Sequence, residues 1–568
     1  MGMSFDFVVR RGLVVDGSGN DPFEADVAVS QGRIAAIGSN LGRGKDEIDA
    51  KDLLVTPGFV DVHTHYDAQA AWENRLSPSS DHGVTTAIMG NDGLGFAPCR
   101  PEGREYLVRL AEGIANVPRP VLVEGLPWAW ETFPEYLDFL AGRQFDLDLG
   151  VIIPHGPLRL YVMGQRAIDL EIATDDDIAG MAAHVCSGIA AGALGVSTSL
   201  VPGQRSSDGK LTPTLAANEH ELIGLALALK AQGAGLFEFV GDVAVDHFEL
   251  LRRLAEQSGR PVTFAMAELN QPPFVAPELL DRVTRANGAG LVIRPQMLPH
   301  AFGAMLGHEV TLNPFFLTGT YRNLAGLPLQ QKIVELRRPE VRARIVEEAA
   351  KTDAAETPAV VRQFEQMFVL GDPPDYEPRP ETSIAARAAR LGTTPEALAY
   401  DLMLEDEGRA LLYVPVINFP NGSLDQVGSI LQHEDVIPGL GDGGTNYGNH
   451  CDGSYSTFFL THFVRNRGGG VMSLAKAIRK LTRLGAETVG LLDRGLLAVG
   501  CKADINVIDF DRLSLRAPHV ANDLPSGGRR LRQRAEGYCA TIVSGIPVYR
   551  HGEASGALPG RLARGPCS

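Results

Sequence analysis

Between Thr56 and about residue 489 the chain switches repeatedly from a short apolar run to a stretch with helical spacing. This alternation limits the fold more than any other feature, because strands that alternate with helices pack as parallel βα units with the helices covering the sheet. Runs of this kind are Pro57–Val62, Val84–Gly90, Gly150–His155, Ala193–Ser199, Gly235–Val240, Pro261–Met266, Gly290–Gln296, Leu411–Ile417 and Val436–Asp442. Asp175–Ala190 has the spacing of an amphipathic helix leading into the fourth of them. Between about 300 and 408 the pattern turns helical and charged, as in Arg337-Arg338-Pro339-Glu340-Val341-Arg342. That stretch reads as an insertion among the loops that carry function in βα folds.

The two ends differ from the middle. Up to about residue 56 the chain reads as short strands, among them Phe7–Arg10, Gly12–Asp16, Ala25–Val29 and Arg33–Gly38. A matching set, Gly500–Asp509 and Ala540–Tyr549, lies near the other end. Neither set is large enough to bury a core alone, so the expectation is one small β-sandwich made of residues 1–56 and 490–552. The catalytic domain would then span 57–489, with 553–568 as a C-terminal tail.

A formal charge of −17 argues against non-specific nucleic-acid binding, which needs Lys and Arg to displace phosphate counterions. Six cysteines are scattered without a C-x-x-C pair, which is neither a disulfide framework nor a zinc knuckle. No signal-peptide pattern opens the chain and no apolar run approaches membrane-spanning length. The expectation is a cytoplasmic protein with no membrane or nucleic-acid partner; oligomeric state is left open.

The first apolar run of the middle region ends in His63-Thr64-His65. Residues two apart share one face of a strand, so both imidazoles can grip one metal ion. With the preceding Thr56-Pro57-Gly58-Phe59-Val60-Asp61-Val62, this stretch resembles the first barrel strand of the amidohydrolase superfamily. The resemblance implies a metal-dependent hydrolase on a (β/α)8 TIM-type barrel, whose reactive groups sit at the C-terminal ends of the strands. Nine runs exceed the eight that such a barrel uses, so at least one lies outside it.

A hydrolytic metal site also needs a carboxylate as ligand and proton acceptor. Asp442 ends an apolar run and precedes Gly443-Gly444, a position that alone fits an Asx turn equally well. Leu440-Gly441-Asp442-Gly443-Gly444 resembles the superfamily's last barrel strand, which implies that Asp442 is both metal ligand and general base.

Ser77-Pro78-Ser79-Ser80, Gly83-Val84-Thr85-Thr86, Met89-Gly90-Asn91-Asp92-Gly93, Gly192–Ser199 and Gly556–Arg561 narrow the likeness to the N-acyl-D-amino-acid deacylase (D-aminoacylase) family, whose members use zinc. Three departures follow. The family's Asn-Cys-Gly is Asn91-Asp92-Gly93 here, so Asp92 is either a harder ligand in place of a thiolate or a turn residue. The family's histidines on two middle strands are missing, and Glu238 or Glu268 is the available replacement. One Zn2+ is therefore expected rather than two. The family's Ser-His-Leu-Lys pattern is also absent, which puts preference for a D-amino acid in doubt.

Other polar residues are candidates for the cleft. His155 ends a strand and is either a substrate contact or a structural histidine. Arg205 and Ser206 belong to a polar loop suited to an anionic or carbonyl group, or to a surface turn. Arg294 alternates with Gln296 on one strand face, and His450 lies in a loop beyond Asp442. Tyr66 and Asp67 directly follow the histidine pair and are candidates for orienting an imidazole. The expected reaction is hydrolysis of an amide, most simply an N-acyl amino acid or related acylated amine, with Asp442 moving the proton. A lactone, cyclic imide or carbamate substrate is the alternative on the same scaffold. A non-catalytic binding protein with a degenerate metal site is the alternative of another class.

Overall fold

The computed structural model describes all residues except 1–4, 243–244, 273–274, 352–357, 468–469 and 566–568. Phe59–Asp61, Val84–Met89 and Asp148–Val151 pair in parallel, in that order. Ile153–Pro154, Gly195–Ser199, Leu236–Val240, Val262–Met266, Ile293–Met297 and Ile437–Pro438 form a second parallel sheet, also in chain order. Asp148–Val151 and Ile153–Pro154 are one run interrupted at Ile152, whose N–H still donates to Met89 O at 2.8 Å. These strands are buried almost throughout, as expected where helices cover one face of a parallel sheet and side chains fill the other.

The covering helices start and stop where local chemistry dictates. Asp175–Ala190 opens on a capping box, with the Thr174 side chain and Asp177 satisfying each other's backbone N–H groups. Glu219–Gln232 is capped by Asn218 and ends at Gly233, whose φ of 63° suits glycine.

Leu412–Ile417 is the run that does not belong to the parallel set. It pairs antiparallel with Phe302–Leu306 and Phe368–Val369. Both partners lie in the 300–408 region, so this strand closes the insertion rather than the main sheet. The insertion otherwise carries helices, including Leu329–Leu336, Pro339–Lys351 and Pro395–Met403, around its own core of Phe315, Tyr321, Ile333, Leu336 and Tyr400.

Both chain ends share one sheet. Leu54–Pro57 pairs antiparallel with Ile505–Ile508, and Phe5–Val14 pairs with Phe23–Ser30, Gly44–Asp49 and Leu54–Pro57. Phe7, Val9, Val27, Val55, Ile505, Val507 and Ile542 bury one another there. The tail returns to the parallel set, where Ala563 N–H donates to Leu149 O at 2.6 Å. Among the described residues no helix is long and apolar enough to cross a membrane.

Candidate metal centre

Residues after the ends of three parallel strands meet at one point. After Phe59–Asp61 the chain stays extended, with Thr64 N–H donating to Ile88 O and His65 N–H to Gly443 O at 2.8 Å. Period-two geometry then directs His63 and His65 the same way. Asp92 follows Val84–Met89 through Gly90, where a Cβ would lie 2.1 Å from Ile152 O. Asp442 follows Ile437–Pro438. Asp92 (φ 59°) and Asp442 (φ 47°) both hold left-handed backbone, a conformation that costs an L-residue roughly 1–2 kcal/mol and that Asp tolerates better than most. Such strain gathers at functional sites.

His63 Nε2 lies 3.2 Å from Asp92 Oδ1 and 3.5 Å from Asp442 Oδ1. His65 Nε2 lies 3.8 Å from both Asp92 Oδ2 and Asp442 Oδ1. Glu238, fully buried in Leu236–Val240, accepts the Asp92 N–H at 3.2 Å through Oε2 and holds Oε1 3.8 Å from His63 Nδ1. Two overlapping groups have metal-ligand spacing, His63 with His65 and Asp442, and His63 with Asp92 and Glu238.

The donor set fits a divalent cation. Asp92 Oδ1, Asp442 Oδ1, Glu238 Oε1, Asp61 Oδ2 and His65 Nδ1 are buried with no hydrogen-bond partner, an expensive arrangement for a cluster that nothing positive neutralises. Burial pushes Asp442 up to about 7 and Glu238 up to about 8, with neighbouring carboxylates adding to the effect. Burial alone would pull His63 down, but Asp92, Asp442 and Glu238 outweigh it and raise it to about 10. The negative potential that draws a proton to His63 draws a metal ion to the same place. His65, farther from the carboxylates, is lowered to about 4 by burial and is a neutral donor near pH 7. The donors are imidazole and carboxylate, with no thiolate.

Gln296 and Asp61 hold His63. Its ring Nδ1 faces Gln296 Oε1 at 2.9 Å, and its backbone N–H donates to Asp61 Oδ1 at 3.1 Å. Gln296 stands on the inward face of its strand, as its alternation with Arg294 suggests, but nothing local ties it to a histidine 233 positions away.

Several candidates lie elsewhere. His155 is fully buried, its ring bound to Thr198 Oγ1 (2.9 Å) and Glu221 Oε1 (2.8 Å), with Arg159 on the other Glu221 oxygen. Both ring nitrogens are engaged, so it is a core histidine and not a cleft residue. Arg205 donates to Gly209 O, and Ser206 bonds Asp208 within the same turn. Arg294 faces Asp435, which precedes the strand Ile437–Pro438, and so sits at the opposite end of the strands from the cluster. Tyr66 donates to Leu76 O, and Asp67 accepts the Gly90 N–H at 3.1 Å, so neither orients an imidazole; Asp67 instead fixes the turn that presents Asp92. Glu268 accepts the Val275 and Ala276 N–H groups and Gln426, outside the centre. His450 borders the same crevice as Asp442, with Nδ1 donating to Gly303 O at 2.6 Å.

Comparison with known proteins gives the family. The model of the amidohydrolase family matches residues 46–549, and the chain belongs to that family. It is a metal-dependent amidohydrolase by that membership. A D-aminoacylase of Alcaligenes xylosoxydans xylosoxydans is 26% identical over 582 residues, covering 98% of this chain and 97% of that enzyme. A solved D-aminoacylase structure described by its binuclear metal centre superposes with a TM-score of 0.66 at 23% identity, covering 99% of this chain and 100% of that one. N-acyl-D-glutamate deacylase from Bordetella bronchiseptica, solved with zinc and a phosphonate inhibitor, gives 0.65 at 22% identity, covering 99% of this chain and 100% of that one. These structural likenesses carry the α/β fold.

Proposed function

We propose that this chain is a deacylase of N-acyl amino acids or related acylated amines, working with one divalent ion, zinc by analogy with the related enzymes. The observation that carries the reading is the cluster of buried, unpartnered carboxylate and imidazole atoms on His65, Asp92, Glu238 and Asp442. In the same reading the eight parallel runs close as a (β/α)8 barrel over 57–489, with 300–408 inserted. Residues 1–56 and 490–552 form the small β-sandwich and 553–568 the tail. The hydrogen bond from His65 N–H to Gly443 O, between the first and last runs, supports closure. A cytoplasmic location fits the free state of all five described cysteines.

His63, His65, Asp442 and Asp92 would hold the ion, which when bound supplies polarisation of the scissile carbonyl and acidification of a water molecule. The Asp442 carboxylate, buried in the cluster, accepts the proton of the attacking water and returns it to the leaving nitrogen. Asp61 and Gln296 hold the His63 main chain and ring while this happens.

One observation favours a second reading. Among the described residues no Lys or Arg forms an ion pair with Asp92, Glu238 or Asp442. Arg530 and Arg532, which line the same crevice as Asp442, are already paired with Glu73, Asp523 and Asp81, so neither is free to clamp a substrate carboxylate. Cyclic imides, lactones and carbamates need no such clamp. The test is turnover by the metal-loaded protein on N-acyl-D and N-acyl-L amino acids, uncharged N-acyl amines and cyclic imides. Release of amine from an acylated substrate, lost in Asp442→Asn, supports the deacylase. Turnover of cyclic imides alone replaces it with the second reading.

A further inference from the structure

His63 belongs to both metal-ligand groups. Its Nδ1 faces Gln296 Oε1 at 2.9 Å. On its other side Gln296 Nε2 donates to Thr263 Oγ1 at 3.0 Å. With a carbonyl oxygen opposite, Nδ1 donates its hydrogen there, which leaves Nε2 as the ring atom turned to the cluster. Nε2 is the atom facing Asp92 Oδ1 and Asp442 Oδ1. Gln296 and Thr263 are both buried and sit on adjacent, registered strands, so the relay is built into the sheet.

We infer that Gln296 is a positioning residue that turns His63 Nε2 toward Asp92 and Asp442 and keeps Nδ1 from holding a divalent ion. The inference rests on the reading of the cluster as a metal centre. An ion lodged between Glu238 and the other face of the ring would need Nδ1 as donor. That atom is already engaged by Gln296 and lies 3.8 Å from Glu238 Oε1. Glu238 Oε2 is meanwhile held by the Asp92 N–H. Glu238 thus sets the charge and the turn beside the ion instead of holding a second ion through His63. The relay also gives the ring the arrangement in which an outer hydrogen bond orients a ligating histidine, and loss of such a partner typically costs about 10–100-fold in metal affinity.

The experiment is metal titration of the purified full chain with Mn2+ and Zn2+, read by elemental analysis and, for Mn2+, by electron paramagnetic resonance. Wild type is expected to saturate at one ion per chain with the spectrum of isolated Mn2+. Gln296→Glu keeps an acceptor opposite Nδ1 and should bind at least as tightly. Gln296→Leu should bind about 10–100-fold more weakly, or accept a second ion with an exchange-coupled spectrum, while melting as a folded protein. Thr263→Val, which releases the amide without touching the histidine, should shift affinity in the same direction as Gln296→Leu by less. Two coupled ions in the wild type would overturn the exclusion of an ion from the Nδ1 side of His63 and leave the metal reading standing. Affinity and stoichiometry in Gln296→Leu and Thr263→Val equal to wild type would overturn the role of Gln296. Failure of the wild type to bind either metal would overturn the metal centre itself and this inference with it.

Discussion

The Asp92 backbone N–H donates to Glu238 Oε2 at 3.2 Å, so the carboxylate on one strand braces the turn that presents a carboxylate from another. Glu238→Gln keeps an acceptor for that N–H but removes a charge from the cluster. It should melt within about 1 kcal/mol of wild type while binding a divalent ion more weakly. Glu238→Ala leaves the N–H without its partner and should lose both stability, by about 1–3 kcal/mol, and affinity. Thermal melts alongside metal titration separate the two effects; equal metal affinity in all three proteins would remove Glu238 from the account.

Glu221 is shared by His155 at 2.8 Å and Arg159 at 3.0 Å, with all three side chains essentially inaccessible. Removing the anion strands a buried guanidinium, so Glu221→Ala should cost about 3–5 kcal/mol in a denaturant melt. Because the triad lies in the core and not in the cleft, the folded fraction should bind metal as wild type does. A large loss of metal affinity with unchanged stability would return His155 to the site.

What the sequence made legible follows from what is local. His63, His65, Asp92 and Asp442 all lie within a few residues of a strand end, where an apolar run followed by a turn directs a side chain to the catalytic face. Gln296 and Glu238 reach His63 only through strand register, across 233 and 175 positions, and no local pattern encodes that. His155 shows the same limit from the other side. Its strand-end position suggested the cleft, but the deciding partner, Glu221, belongs to a later helix that covers the sheet. Leu412–Ile417 had the composition of a buried strand, and only its pairing with the insertion separated it from the parallel set.

Asp146 gives a pH-dependence away from the metal cluster. It is buried against Leu76 N–H (3.0 Å) and the Tyr549 hydroxyl (3.1 Å), and burial raises it to about 6. A raised carboxyl favours the protonated form in the folded chain. Its contribution is therefore fully present below about pH 4, the unfolded value, and is lost as pH rises through about 6. Asp146→Asn retains an acceptor for Leu76 and cannot ionise. It should be more stable than wild type at pH 7, by up to roughly 3 kcal/mol, and nearly equal to it at pH 4. Parallel pH profiles for the two proteins would show this difference flat if the burial of Asp146 carried no such cost.

Metal removal should be visible in stability as well as in turnover. An ion that binds the folded chain and not the unfolded one stabilises it by about 2.7 kcal/mol at a free concentration a hundred times its Kd. Chelation of wild type should therefore lower the denaturation midpoint, and re-addition of ion should restore it. His63→Ala removes the residue common to both ligand groups, so its midpoint should be insensitive to chelator. His65→Ala removes a ligand from one group only, leaving Asp92 and Glu238 with His63, and should keep a weaker response. Equal chelator sensitivity in wild type and His63→Ala would mean that the stabilising ion binds somewhere other than this centre.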